Sequence, residues 1–115
     1  MGKRKITKID DLNFKPFDKY GKSIKGWSWH NISFDKKTNF GTYISKLEPG
    51  TKTIKHTHEG YEEFLILDGE LIDSDGKIFK KGDIVSYAPE SNHSSYTKKG
   101  CLILTFMRGN NKPIK

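Results

Sequence analysis

Apolar residues in this chain come in short runs, and most alternate with polar ones or are closed by turn residues. "GWSWHNISF", "FGTYISKL", "TKTIKHTH", "EEFLILDG", "GELIDSDGKIF", "DIVSYAP" and "CLILTFM" each read as a β-strand a few residues long. No window carries apolar residues at i, i+3, i+4 and i+7 for three turns, so no long helix is expected. The turn signals fall between the runs. Asp75-Gly76 predicts a two-residue hairpin turn, because both residue types tolerate positive φ. Asp68-Gly69, Lys81-Gly82-Asp83 and Leu47-Glu48-Pro49-Gly50 predict further turns. The pattern as a whole predicts an all-β sandwich or barrel.

At 115 residues the chain has room for one domain. The polar stretch 1–25, with scattered rings at Phe14, Phe17 and Tyr20, predicts an N-terminal arm packed on the barrel or on a partner subunit. The barrel is expected over 26–109, with a flexible tail at 110–115. Lys+Arg outnumber Asp+Glu by 21 to 14, a formal charge of +7. Only Arg4 and Arg108 are arginine, and the lysines are spread along the whole chain. A nucleic-acid surface clusters its charge and favours arginine, so a solvated basic surface with no nucleic-acid partner is expected. The longest apolar runs are "FLIL" and "CLIL", too short to span a bilayer, and no apolar core follows the basic N-terminus. A cytoplasmic protein without a membrane partner is the expectation. The single cysteine, Cys101, excludes an intrachain disulfide and a multi-cysteine metal cage.

Chemistry concentrates in "HTHEGYEEFLILDG", residues 56–69. Strand alternation places Ile54, His56 and His58 on one face. Two imidazoles about 7 Å apart along a twisted strand can converge on one ion. Glu62 opens the next strand in phase with Phe64 and Ile66. A third imidazole is available from His93, after "YAPESN". Glu63 shares its face with Leu65 and Leu67, so Glu62 is the preferred carboxylate. Three imidazoles and one carboxylate suit a borderline divalent ion, Fe, Mn, Co, Ni, Cu or Zn. Tyr43, Phe64, Tyr87, Phe106, Trp27 and Trp29 are candidate walls of a substrate pocket, although an aromatic in a β-barrel is first of all core.

Gly50, His56, His58, Glu62 and Gly69 fall at every fixed position of the first cupin motif, G-x5-H-x-H-x3-E-x6-G, and the chain resembles that superfamily over about residues 40–107. The second motif is matched by Gly82 and His93. Pro89 stands one place late, Glu90 stands where the family has glycine, and Thr97 where it has asparagine. "EEFLILDGEL", "DSDGK", "APESNHSS" and "GCLIL" resemble the zinc-binding cupin domain of ChrR-type anti-sigma factors, and the same branch is similar to small acetylacetone-cleaving dioxygenases. The resemblance implies a single-domain double-stranded β-helix, or jelly roll, with one divalent transition metal per chain held by His56, His58, Glu62 and His93. Zn or Fe(II) is favoured, with Mn, Ni and Co as alternatives.

Two functions follow from it. The first is a metal-dependent enzyme, dioxygenase-like or isomerase-like, acting on a small carbonyl or enolisable compound. The second is a non-catalytic zinc-bound sensor or small-ligand module. The chain leaves no room for a sigma-binding helical domain, so sigma-factor inhibition is not expected to carry over. A homodimer is expected, because a short barrel has edge strands to cover.

Overall fold

The computed structural model describes residues 2–54 and 60–109, together with the backbone alone of 56–58 and 111–113. The predicted tail at 110–115 therefore lies outside the described residues, apart from that backbone. After a single 3₁₀ turn at Ile9–Asp11 the chain is all β. The strands are β1 (Lys15–Pro16), β2 (Trp27–Asn31), β3 (Phe40–Leu47), β4 (His56–His58), β5 (Tyr61–Asp73), β6 (Ile78–Lys80), β7 (Ile84–Tyr87), β8 (Asn92–His93), β9 (Ser95–Tyr96), β10 (Cys101–Arg108) and β11 (Asn111–Pro113). They pair antiparallel throughout. The larger sheet runs β1-β2-β3-β10-β5-β6, with β7 and β9 also paired to β5, and the smaller runs β11-β4-β8. Among the described residues no helix is long and apolar enough to cross a membrane.

Alternation decides which side chains reach the interior. In β10, Cys101, Ile103, Thr105 and Met107 are buried and their neighbours are not. In β5 the buried set begins as Glu62, Phe64 and Ile66, but ends as Leu71 and Asp73. The phase changes from even to odd. The cause is a bulge: Ile103 pairs with Ile66, Leu102 with Asp68 and Cys101 with Gly69, so Leu67 is an extra residue in β5. The predicted turn at Asp68-Gly69 is therefore this bulge, inside one thirteen-residue strand rather than between two. Gly69 takes φ +80°. A Cβ there would lie 2.2 Å from the carbonyl oxygen of Gly100.

The hairpin at Asp75-Gly76 is present but wider than two residues. Asp73 N–H donates to Lys77 O (2.9 Å), Gly76 N–H to Asp73 O (2.9 Å), and Lys77 N–H to Asp75 Oδ1 (2.9 Å). Before β8, Ser91 N–H donates to Ala88 O at 3.3 Å, closing a turn with Pro89 and Glu90 at its centre. Glu90 has φ +72°. A type II turn asks for positive φ at that place, and glycine supplies it without strain. Glu90 adopts the backbone of the motif's missing glycine at a steric cost.

Two aromatic-rich clusters fill the interior. One gathers Leu47, Phe64, Ile66, Leu71, Cys101 and Ile103, so Cys101 is a small buried hydrophobe. The other gathers Phe17, Trp29, Phe34, Tyr43 and Met107. Trp27 packs against both. Phe17 follows the edge strand β1, is fully buried, and stacks on Trp27 with ring centres 3.8 Å apart and planes 6° from parallel.

Two stability changes of opposite sign follow. Gly69→Ala forces a left-handed non-glycine residue into a backbone clash and should cost at least about 2 kcal/mol. Glu90→Gly relieves about 1–2 kcal/mol of left-handed strain and gives back part of it as unfolded-chain entropy. The expected net gain is about 0.5–1 kcal/mol. Urea unfolding with an unchanged m-value measures both.

Candidate metal and ligand site

The segment 92–97 crosses from the smaller sheet to the larger. Its alternation turns His93, Ser95 and Thr97 inward. In β8, His93 pairs with His56 of β4. In β9, Ser95 pairs with Asp73 of β5. Glu62 opens β5 on the same interior face. Three ionisable side chains thus meet in the core: Glu62, Asp73 and His93, each 7% exposed or less.

His93 is held from both ends. Its Nε2 lies 3.3 Å from Glu62 Oε1, and its Nδ1 lies 2.9 Å from Asp73 Oδ1. Ser95 Oγ donates to the same Asp73 oxygen at 2.9 Å, and Tyr87 OH donates to Asp73 Oδ2. The Tyr87 ring stacks on the imidazole with centres 4.1 Å apart. Burial alone would raise the Asp73 pKa, but hydrogen bonds from Tyr87, His93 and Ser95 outweigh it and hold the carboxyl below its ordinary value. Burial likewise opposes the charged form of His93, yet Glu62 and Asp73 together raise its pKa above the ordinary histidine value.

The sequence-derived ligands divide into two groups. Glu62 and His93 are brought together. The side chains of His56 and His58 lie outside the described residues; the backbone sets position 56 directly opposite position 93. Among the described residues no group of three or more His, Cys, Asp or Glu side chains is arranged to hold an ion. Glu63 lies away from the core and pairs with Arg108 at 2.7 Å. His30 lies apart, with Nδ1 accepting from Asn13 N–H at 3.1 Å.

Glu62 and His93 line an inner cavity with Tyr20, Trp27, Tyr43 and Phe64. Its free space is about 40 Å³, enough for a few waters. A wider surface hollow beside Phe14, Pro49 and Lys99 includes neither Glu62 nor His93 and has no such chemistry. Of the six candidate wall residues, Trp27, Tyr43 and Phe64 line the inner cavity. Tyr87 supports His93 from behind, and Trp29 packs in the second cluster. Phe106 is 41% exposed, because it falls between the inward positions Thr105 and Met107.

Sequence reasoning missed Asp73, Tyr20 and Lys19. Lys19 Nζ is buried without a hydrogen-bond partner and lies 5.2, 5.4 and 5.9 Å from the ring centres of Tyr20, Phe34 and Tyr43. Burial pulls its pKa down to about 8, against a partly compensating attraction from Glu62. Only the phase change at the bulge exposes Asp73 as an inward residue, and no periodicity in 15–25 marks Lys19.

Solved structures with this fold include the acetylacetone dioxygenase of Acinetobacter johnsonii, at 18% identity and a TM-score of 0.79, covering 100% of this chain and 80% of that one. The polyketide cyclase RemF of Streptomyces resistomycificus is similar at 18% identity and a TM-score of 0.72, covering 100% of this chain and 87% of that one. The anti-sigma factor ChrR of Rhodobacter sphaeroides, solved with SigE, is similar at 18% identity and a TM-score of 0.64, covering 88% of this chain and 51% of that one. At these identities the likeness establishes the fold, an all-β cupin. No curated protein matches the sequence. The family model for the ChrR cupin-like domain matches residues 3–110, and the chain belongs to that family.

Proposed function

We propose that the protein binds one divalent transition metal through His56, His58, Glu62 and His93 and acts as a metal-dependent enzyme on a small carbonyl or enolisable compound. The observation that carries this reading is the His93 clamp. A metal-ligating histidine almost always gives its other ring nitrogen to a carboxylate or carbonyl, which fixes the ring and raises its basicity. Asp73 stands in that place, itself fixed by Tyr87 and Ser95. A buried carboxylate, Glu62, meets the other ring nitrogen, Nε2, at 3.3 Å. The imidazole of His93 and the carboxylate of Glu62 are donor types that suit a borderline divalent ion.

When bound, such an ion supplies Lewis acidity to a carbonyl oxygen or, if redox-active, electron exchange with O₂. The chain's own residues do the rest. Asp73 keeps the proton of His93 on Nδ1 and leaves Nε2 as a donor atom. Phe64, Leu71 and Ile103 line the same cavity and restrict water. A second reading, a zinc-bound sensor without turnover, draws support from the family match to the ChrR domain. Its mark would be a closed set of four protein ligands on tetrahedral zinc.

Elemental analysis of untagged protein purified without added metal tests the site. About one transition-metal ion per chain is expected, with His93→Ala lowering occupancy at least about tenfold and Asp73→Asn weakening affinity by about 10–100-fold. Iron with O₂ uptake on adding 2,4-pentanedione supports the oxygenase form. Zinc, a chelator-induced fall in melting temperature and no turnover support the sensor. No ion after reconstitution overturns the ligand set.

A further inference from the structure

Three side-chain nitrogen or oxygen atoms are buried without a hydrogen-bond partner among the described residues: Lys19 Nζ, Trp27 Nε1 and Ser45 Oγ. They are not scattered. Trp27 and Ser45 both line the inner cavity. They are diagonal neighbours on paired strands, since Trp27 sits opposite Leu47 and Trp29 opposite Ser45. Lys19 lies over Tyr20 and Tyr43, which are walls of the same cavity. Folded proteins rarely leave buried donors unmet, and each such group calls for an explanation.

The chemistry of the three is one-sided. An indole N–H donates only, an ammonium donates only, and a hydroxyl can donate. Across the cavity, Glu62 and His93 are already engaged with each other. The lining of the cavity therefore combines donors in want of an acceptor, on Trp27 and Ser45, with the candidate ligands of the ion, Glu62 and His93. The stacked Phe17 ring holds the Trp27 indole plane in place, so its N–H direction is fixed before anything binds.

We propose that Trp27 Nε1–H and Ser45 Oγ–H are the recognition pair for an acceptor oxygen of the bound compound, so that the cavity selects a small carbonyl compound or its enolate. This rests on the reading that the cavity takes a small carbonyl ligand, and it adds which residues choose it. Lys19 Nζ lies over the wall rings of Tyr20 and Tyr43, and its ammonium charge favours a ligand oxygen carrying negative charge. A hydrocarbon or a protonated amine of equal size leaves both donors unmet and is rejected.

The test is nuclear magnetic resonance on the ¹⁵N-labelled full chain, in metal-free and zinc-loaded forms. The chain has two tryptophans, so the indole region contains two N–H signals, assigned by Trp27→Phe. Titration with 2,4-pentanedione should move the Trp27 indole proton saturably downfield and leave that of Trp29 nearly unmoved. Trp27→Phe keeps a stacking ring and loses the donor; Ser45→Ala loses the hydroxyl with little change of volume. Each should weaken the dissociation constant by about tenfold.

Saturable shifts elsewhere in the cavity with the Trp27 indole unmoved overturn the proposal. So does wild-type affinity in both variants, which would make water the partner of the donors. Absence of a saturable shift in both forms overturns it as well. A Trp27 response in a protein that takes up no metal supports this recognition pair and defeats the metal reading instead.

Discussion

Between Ile66 and Gly69 the longest strand holds one residue more than its partner, and the consequences run the length of the site. Before the extra residue the even positions of β5 face inward; after it the odd positions do. Glu62 and Asp73 differ in parity, so an unbroken strand could not present both to the interior. With the bulge in place they stand on either side of one imidazole. The bulge depends on Gly69, which combines a left-handed backbone with a neighbouring carbonyl too close for any Cβ. A rule of backbone sterics thereby decides which carboxylates meet His93.

The site gathers charge in a place where charge is expensive. Two carboxylates and an imidazole are buried together, and an unpaired ion there would cost several kcal/mol. Asp73 is tolerated because Tyr87, His93 and Ser95 satisfy its oxygens. That hydrogen bonding fixes the ring of His93 while leaving Nε2 facing Glu62. The inner wall of aromatic and aliphatic side chains strengthens each interaction by lowering the local dielectric.

Much of this was legible in the sequence. Alternation and turn residues marked the strands, and the spacing of Glu62 and His93 marked two side chains that do meet. What was not legible has physical causes. Asp-Gly tolerates positive φ in a turn and in a bulge alike, so Asp68-Gly69 could not be assigned locally; the partner strand decides. Alternation counted from Glu62 without the bulge puts Asp73 on the outward face. Phe106 was chosen for its ring, whereas the alternation of Cys101, Ile103, Thr105 and Met107 puts it outside. Lys19 Nζ lies among the rings of Tyr20, Phe34 and Tyr43, and the last two are brought to it across the sequence, which local pattern does not encode.

The place of β10 has a bearing on biogenesis. It lies between β3 and β5 in the sheet, yet it is made long after both. Until residues 101–108 have left the ribosome, two strands rich in apolar residues have no central partner, and their open edges can pair with other chains. Most of the pairing is between distant segments, which slows closure further. The nascent chain therefore passes through a window in which it is vulnerable to aggregation, and the net charge of +7 opposes association of neighbouring chains during it.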